Sequence, residues 1–72
     1  MTVAENLGIR VNGEQRRLAA GMSVAEMLRE IGIDPGKVAV ERNREIVPRS
    51  TLAEVRVEDG DDYEIVHFVG GG

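Results

Sequence analysis

The sequence predicts an α+β domain: a mixed sheet of four to five strands with one main helix across one face. Three observations carry that prediction. Ile9 and Val11 alternate with Arg10 and run into Asn12-Gly13, a dipeptide suited to a tight hairpin because both residues take positive φ. One capped amphipathic helix follows, from Ser23 to Gly32. The segments after it, up to Tyr63–Val69, are short and rich in β-branched residues. A hairpin, then one helix, then more strands packs as a sheet with the helix on a single face.

Taken in order, residues 1–6 read as a loose lead-in. The return strand of the hairpin is Glu14 to Ala19, with Leu18 its one large apolar residue and Arg16-Arg17 facing solvent. Ser23 and Glu26 form an S-x-x-E capping box, in which each side chain takes a backbone N–H of the first turn. Val24, Met27, Leu28 and Ile31 then share one helix face. Gly32 is placed to cap the C-terminus, Ile33 to fold back on it, and Asp34-Pro35-Gly36 to prevent further helix. Lys37 to Glu41 reads as a strand and Arg42-Asn43-Arg44-Glu45 as a polar turn. Ile46-Val47 is a very short strand stopped by Pro48, which has no N–H to donate. Residues 49–53 read as a loop with one helical turn. Val55 and Val57 alternate with Arg56, Asp59-Gly60-Asp61 is a tight solvated turn, and Tyr63 to Val69 is the last strand. If the first and last strands are neighbours, they run parallel at the centre of the sheet, which is the β-grasp topology. The whole chain, 1–72, reads as a single domain of this kind.

Composition bounds the function. With no cysteine there is no disulfide framework, thiolate metal site or cysteine nucleophile. A net charge of −4 argues against nucleic acid as the main partner and suits a basic docking surface. No apolar run is long enough for a membrane, and the N-terminus has no basic segment or long apolar stretch of a signal peptide, so the expectation is a cytoplasmic protein, monomeric when free. His67, the only histidine, reads as a surface residue rather than a ligand. Asp59, Asp61 and Asp62 lack the spacing and terminal glutamate of a calcium loop, so no metal is expected.

Two features point to a function. In the last strand Tyr63 and Ile65 share one face, while Val66 and Phe68 lie on the other with Glu64. One helix covers only one face of a sheet, so Val66 and Phe68 are candidate partner-binding residues. After Val69 come Gly70, Gly71 and Gly72. Three residues without Cβ atoms make a thin, flexible tail that fits a narrow slot and is ill suited to a packed end. This tail reads as the functional group, with Gly72 at its tip.

These residues resemble the ThiS family, sulfur carriers of thiamine biosynthesis with a ubiquitin-like β-grasp fold. The resemblance runs from about Ile9 to Gly72. Its most specific stretch is Asn43-Arg44-Glu45-Ile46-Val47-Pro48-Arg49, supported by Val11-Asn12-Gly13-Glu14, the Ser23-Val24 helix start with Met27-Leu28, Asp59-Gly60-Asp61 and the Gly-Gly end. The first six residues and Gly70 depart from the family pattern. The resemblance implies a protein co-substrate rather than an enzyme, with no cofactor of its own. A ThiF-type enzyme uses ATP with magnesium to adenylate the terminal carboxylate, here that of Gly72. Sulfur from a persulfide donor converts it to a thiocarboxylate, and a ThiG-type thiazole synthase takes up that sulfur. Gly70 and Gly71 would enter partner slots built for bare backbone. Other readings are a MoaD-type carrier, a carrier for another biosynthetic route, a ubiquitin-like protein modifier, or a plain interaction module. MoaD-type chains often carry prolines in the final strand; this chain has none there and does have the Ile46-Val47-Pro48-Arg49 segment.

Overall fold

The computed structural model describes residues 6–68. Its elements are β1 (Asn6–Val11), β2 (Glu14–Ala19), α1 (Val24–Glu30), a 3-10 turn (Pro35–Lys37), β3 (Val38–Arg42), β4 (Glu45–Val47), a second 3-10 turn (Arg49–Thr51) and β5 (Asp62–His67). The strands form one five-stranded sheet in the order β2-β1-β5-β3-β4. β5 lies at the centre, parallel to β1 and antiparallel to β3, as the β-grasp topology requires.

Both hairpins close through two-residue turns with positive φ at both positions. Asn12 and Gly13 have φ of 51° and 85°, and Val11 pairs with Glu14 across them. Asn43 and Arg44 have φ of 51° and 72°, with Arg42 paired to Glu45. Such turns match the right-handed twist of the strands they join. The first was legible from Asn-Gly. The second carries an arginine where glycine is usual, and the sequence showed only a polar turn.

The helix is built as its capping residues dictate. The Ser23 hydroxyl accepts from the Glu26 N–H at 3.1 Å, and the Glu26 carboxylate accepts from the Ser23 N–H at 2.9 Å. That backbone hydrogen bond holds the Glu26 carboxyl below the usual carboxylate range. At the other end the Gly32 N–H donates to the Arg29 carbonyl and the Ile33 N–H to the Leu28 carbonyl, the paired bonds of a Schellman cap. Val24, Met27 and Leu28 are fully buried, Ala25 joins them, and Ile31 is half-buried. They pack on Ile9, Val11, Leu18, Val38, Val40, Tyr63 and Ile65 from the inner face of the sheet.

Three expectations change. Val55 and Val57 do not form a strand. The segment from Pro48 to Val57 runs beside the helix start, where the Leu52 and Val55 carbonyls accept the Ala25 and Val24 N–H groups that a first helical turn leaves free. Leu52 and Val57 fill the core there, and a single bridge links Ser23 to Arg56. The strand β1 starts at Asn6, which the sequence placed in the lead-in, because Asn6 pairs with Ala19. Asp61 is not solvated: it is 3% exposed and buried in the Asp59–Asp61 turn. Residues 1–5 and 69–72, with the expected strand end at Val69 and the glycine tail, lie outside the described residues.

Candidate functional site

Among the described residues the helix leaves one face of the sheet uncovered. Side chains alternate along a strand, so Val38, Val40, Tyr63 and Ile65 point to the core while Ala39, Glu41, Glu64 and Val66 point outward. Ile46, paired with Glu41, shares that outer face. Val66 is 63% exposed, Phe68 55% and Ile46 70%. The sequence predicted the first two; Ile46 was read only as part of a short strand, because two residues give no periodicity.

The patch has defined edges. Ala39, Val40, Glu41, Ile46, Glu64 and Val66 line a shallow groove of about 230 Å³. Beyond it, Pro48 and Arg49 border Phe68, with the Arg49 guanidinium 5.0 Å from the centre of the Phe68 ring. A cation over an aromatic face is attractive, so Arg49 restrains the ring where the chain leaves the sheet. Phe68 is further tied down by its N–H, which donates to the Lys37 carbonyl at 3.0 Å. Pro48 ends β4 and turns the chain so that Arg49 reaches this position.

The strand that carries the patch is anchored by polar side chains. Asn12 continues the β1 ladder past its last residue: its Oδ1 accepts from the Ile65 N–H at 2.8 Å, and its Nδ2 donates to the Ile65 carbonyl at 3.2 Å. Asn43 does the same from the other side, accepting from the Asp62 N–H at 2.9 Å and donating to Asp61 at 3.1 Å. Asp61 gathers the rest. Its Oδ2 accepts from Arg42 Nε at 2.9 Å, from the Glu58 N–H at 2.9 Å and from the Tyr63 hydroxyl at 2.8 Å. Burial alone would push the Asp61 carboxyl up. The donors from Glu58, Tyr63, Arg42 and Asn43 outweigh it and hold the group below its usual value. Burial and the adjacent Asp61 carboxylate push the Tyr63 phenol up, so it stays a donor, and the hydrogen bond to Asp61 raises Arg42. Among the described residues no buried polar side-chain atom lacks a partner.

Among the described residues no cluster of histidine, cysteine and carboxylate side chains could hold a metal. His67 is exposed. No helix of the described residues is long and apolar enough to cross a membrane. Gly70, Gly71 and Gly72 lie outside the described residues.

Comparison with known proteins agrees with this architecture. Residues 9–72 match the model of the ThiS family. The chain is 58% identical over 62 residues to a thiazole synthase of Paramagnetospirillum magneticum, covering 86% of this chain and 19% of that protein. It spans about a fifth of the length of the curated thiazole synthases it matches first. It is 33% identical over 64 residues to the sulfur carrier protein ThiS of Escherichia coli, covering 89% of this chain and 97% of that one. The crystal structure of the thiamine biosynthesis protein ThiS from Geobacter metallireducens superposes with a TM-score of 0.77 at 32% identity, over 92% of this chain and all of that one. A designed protein based on ubiquitin superposes at 0.54 with 15% identity, over 93% of this chain and 95% of that one, which extends the likeness of fold to ubiquitin. With the β-grasp sheet, the Asn43–Arg49 turn and the family match through Gly72 all in one chain, this protein belongs to the ThiS family.

Proposed function

We propose that this chain is a sulfur carrier of thiazole biosynthesis, a protein co-substrate with Gly72 as its reacting residue. The observation that carries the reading is the family match through the glycine end, joined to an exposed apolar patch at the base of that end. A carboxylate is a poor electrophile. An activating enzyme of the ThiF type makes it reactive by adenylation with ATP and magnesium, and a persulfide sulfur then replaces the adenylate to leave a thiocarboxylate. A thiazole synthase of the ThiG type consumes that sulfur. The thiazole synthase relatives support this partner, since a region similar to this chain forms part of the same polypeptide.

The carrier's own contribution is mechanical. The acidic and basic side chains of the described part are exposed or tied into the Asp61 network; in this reading general acid, base and metal chemistry are assigned to the partners. Gly70 and Gly71 present bare backbone to the partner's slot. Val66 and Phe68 supply the contact that brings residue 72 into reach. The test is removal of Gly71 and Gly72 in a strain that depends on this chain for thiamine. Growth without thiamine should be lost while the truncated domain keeps its melting temperature. Unchanged growth would overturn the reading.

A further inference from the structure

Asn12 has a task beyond the turn it opens. β1 and β5 share two register pairs, Arg10 with Asp62 and Val11 with Tyr63. The Arg10 N–H donates to the Asp61 carbonyl at 3.0 Å, and the Asn12 N–H to the Tyr63 carbonyl at 2.9 Å. By Ile65 the β1 backbone has turned away into the hairpin, so the ladder has no further backbone partner to offer. The Asn12 side chain supplies both missing partners, accepting from the Ile65 N–H at 2.8 Å and donating to its carbonyl at 3.2 Å.

The same residue is chemically labile. Asn12 is exposed and precedes Gly13, whose nitrogen no side chain shields. In an Asn-Gly pair the glycine backbone nitrogen, deprotonated by solvent base, attacks the asparagine Cγ. The nitrogen–Cγ bond forms, the Cγ–Nδ2 bond breaks, and ammonia leaves with a proton from water. Water then opens the cyclic imide at either carbonyl, leaving aspartate or its β-linked isomer. Attack requires Cγ to lie over the Gly13 nitrogen. In the folded chain the amide is held by Ile65 on the neighbouring strand, so both hydrogen bonds have to open first.

We propose that Asn12 is a deamidation site that the native fold keeps closed. The amide reacts when the β1–β2 hairpin parts from β5, and its loss then opposes the return of the native pairing. An aspartate at this position puts a carboxylate oxygen where Nδ2 donated, 3.2 Å from the Ile65 carbonyl oxygen. Two acceptors then face each other beside a buried residue, and the carbonyl loses its donor. The β-linked isomer adds a carbon to the backbone of a two-residue turn and shifts the hairpin register. The inference does not depend on the sulfur-carrier reading.

The test follows deamidation of the 72-residue chain at mildly alkaline pH by peptide mass mapping, in buffer and in urea that unfolds it. Asn12 should react at least about tenfold more slowly in the folded chain, because reaction waits on local opening. Asn43→Ala loosens β5 from its other side without touching Asn12. It should speed the reaction in buffer and leave the rate in urea unchanged. Asn12→Asp should lower the melting temperature by about 5–15 °C. Should Asn12→Asp not fold, Asn12→Ala removes both side-chain bonds without adding charge and should still melt below the parent. Equal rates in the folded and unfolded chain, no acceleration by Asn43→Ala, or a variant at position 12 that melts with the parent would each overturn the proposal.

Discussion

Asp61 is the residue on which the central strand depends. Its carboxylate accepts from two side chains and one backbone N–H on Oδ2, and from Asn43 on Oδ1, with almost no exposure to water. Asp61→Asn turns a donor toward groups that are themselves donors. The expected loss is about 3 kcal/mol, since a buried charged acceptor is removed from partners that stay buried. In a domain of this size that lowers the melting temperature by roughly 10–20 °C, measurable by circular dichroism. The pH dependence has a definite sign. The native Asp61 carboxyl is held below its unfolded value, so its contribution is complete above about pH 4 and is lost as pH falls further. The stability gap between the parent and Asp61→Asn should therefore be constant near neutrality and close in acid. Phe68 makes the contrasting case. It is 55% exposed and touches Arg49, so Phe68→Ser should cost at most about 1 kcal/mol of stability. If Phe68 docks as proposed, affinity for the activating enzyme should fall with little change in the melting curve. A large drop in thermal stability with normal docking would move Phe68 from the partner surface to the core.

At the scale of elements, the two hairpins clamp the strand between them. Each turn opens with an asparagine whose side chain continues a sheet ladder onto β5, Asn12 at Ile65 and Asn43 at Asp62. Each asparagine also occupies positive φ, which short polar side chains tolerate. Arg44 has no such excuse at φ 72°. Arg44→Gly should stabilise the domain by about 0.5 kcal/mol, the relief of left-handed strain less the added entropy of the unfolded chain. Asn43→Ala should destabilise it by about 2 kcal/mol through its lost hydrogen bonds, and denaturant melts of the two variants should bracket the parent. The capped helix and the Asn12-Gly13 hairpin were legible because each is signalled by neighbouring residues, whereas the central parallel pair, between residues some fifty positions apart, followed only on the condition that the first and last strands are neighbours. Asp61 was not, because its partners Arg42 and Asn43 lie far away in sequence and an Asp-Gly-Asp turn reads as solvated. The Val55–Val57 alternation misled for a related reason: two apolar residues point inward, but the segment packs against a helix start instead of a strand. Val66 and Phe68 were legible as an outward-facing pair, whereas Ile46, Arg49 and the Glu41–Glu64 opposition appear only once β3, β4 and β5 are set side by side.

For the whole molecule, the described sheet has one face covered by the helix and one open face, which the proposed function makes the partner side. On that reading the tail is only four residues beyond Phe68, and the enzymes that handle it share this surface. The activating enzyme and the thiazole synthase should therefore exclude each other. A thiazole synthase lacking bound substrate should act as a competitive inhibitor of adenylation with respect to this chain, and a ternary complex in size-exclusion chromatography would contradict that expectation. The proposed function makes Gly72 an acyl group in waiting. The most direct measurement is the intact mass of the chain after incubation with ATP, magnesium, a ThiF-type activating enzyme and a persulfide source. The expected result is a shift equal to one oxygen replaced by sulfur, localised to Gly72 by fragmentation. An unchanged mass with an enzyme active on another carrier, or conjugates to lysines of other proteins in place of the thiocarboxylate, would contradict it.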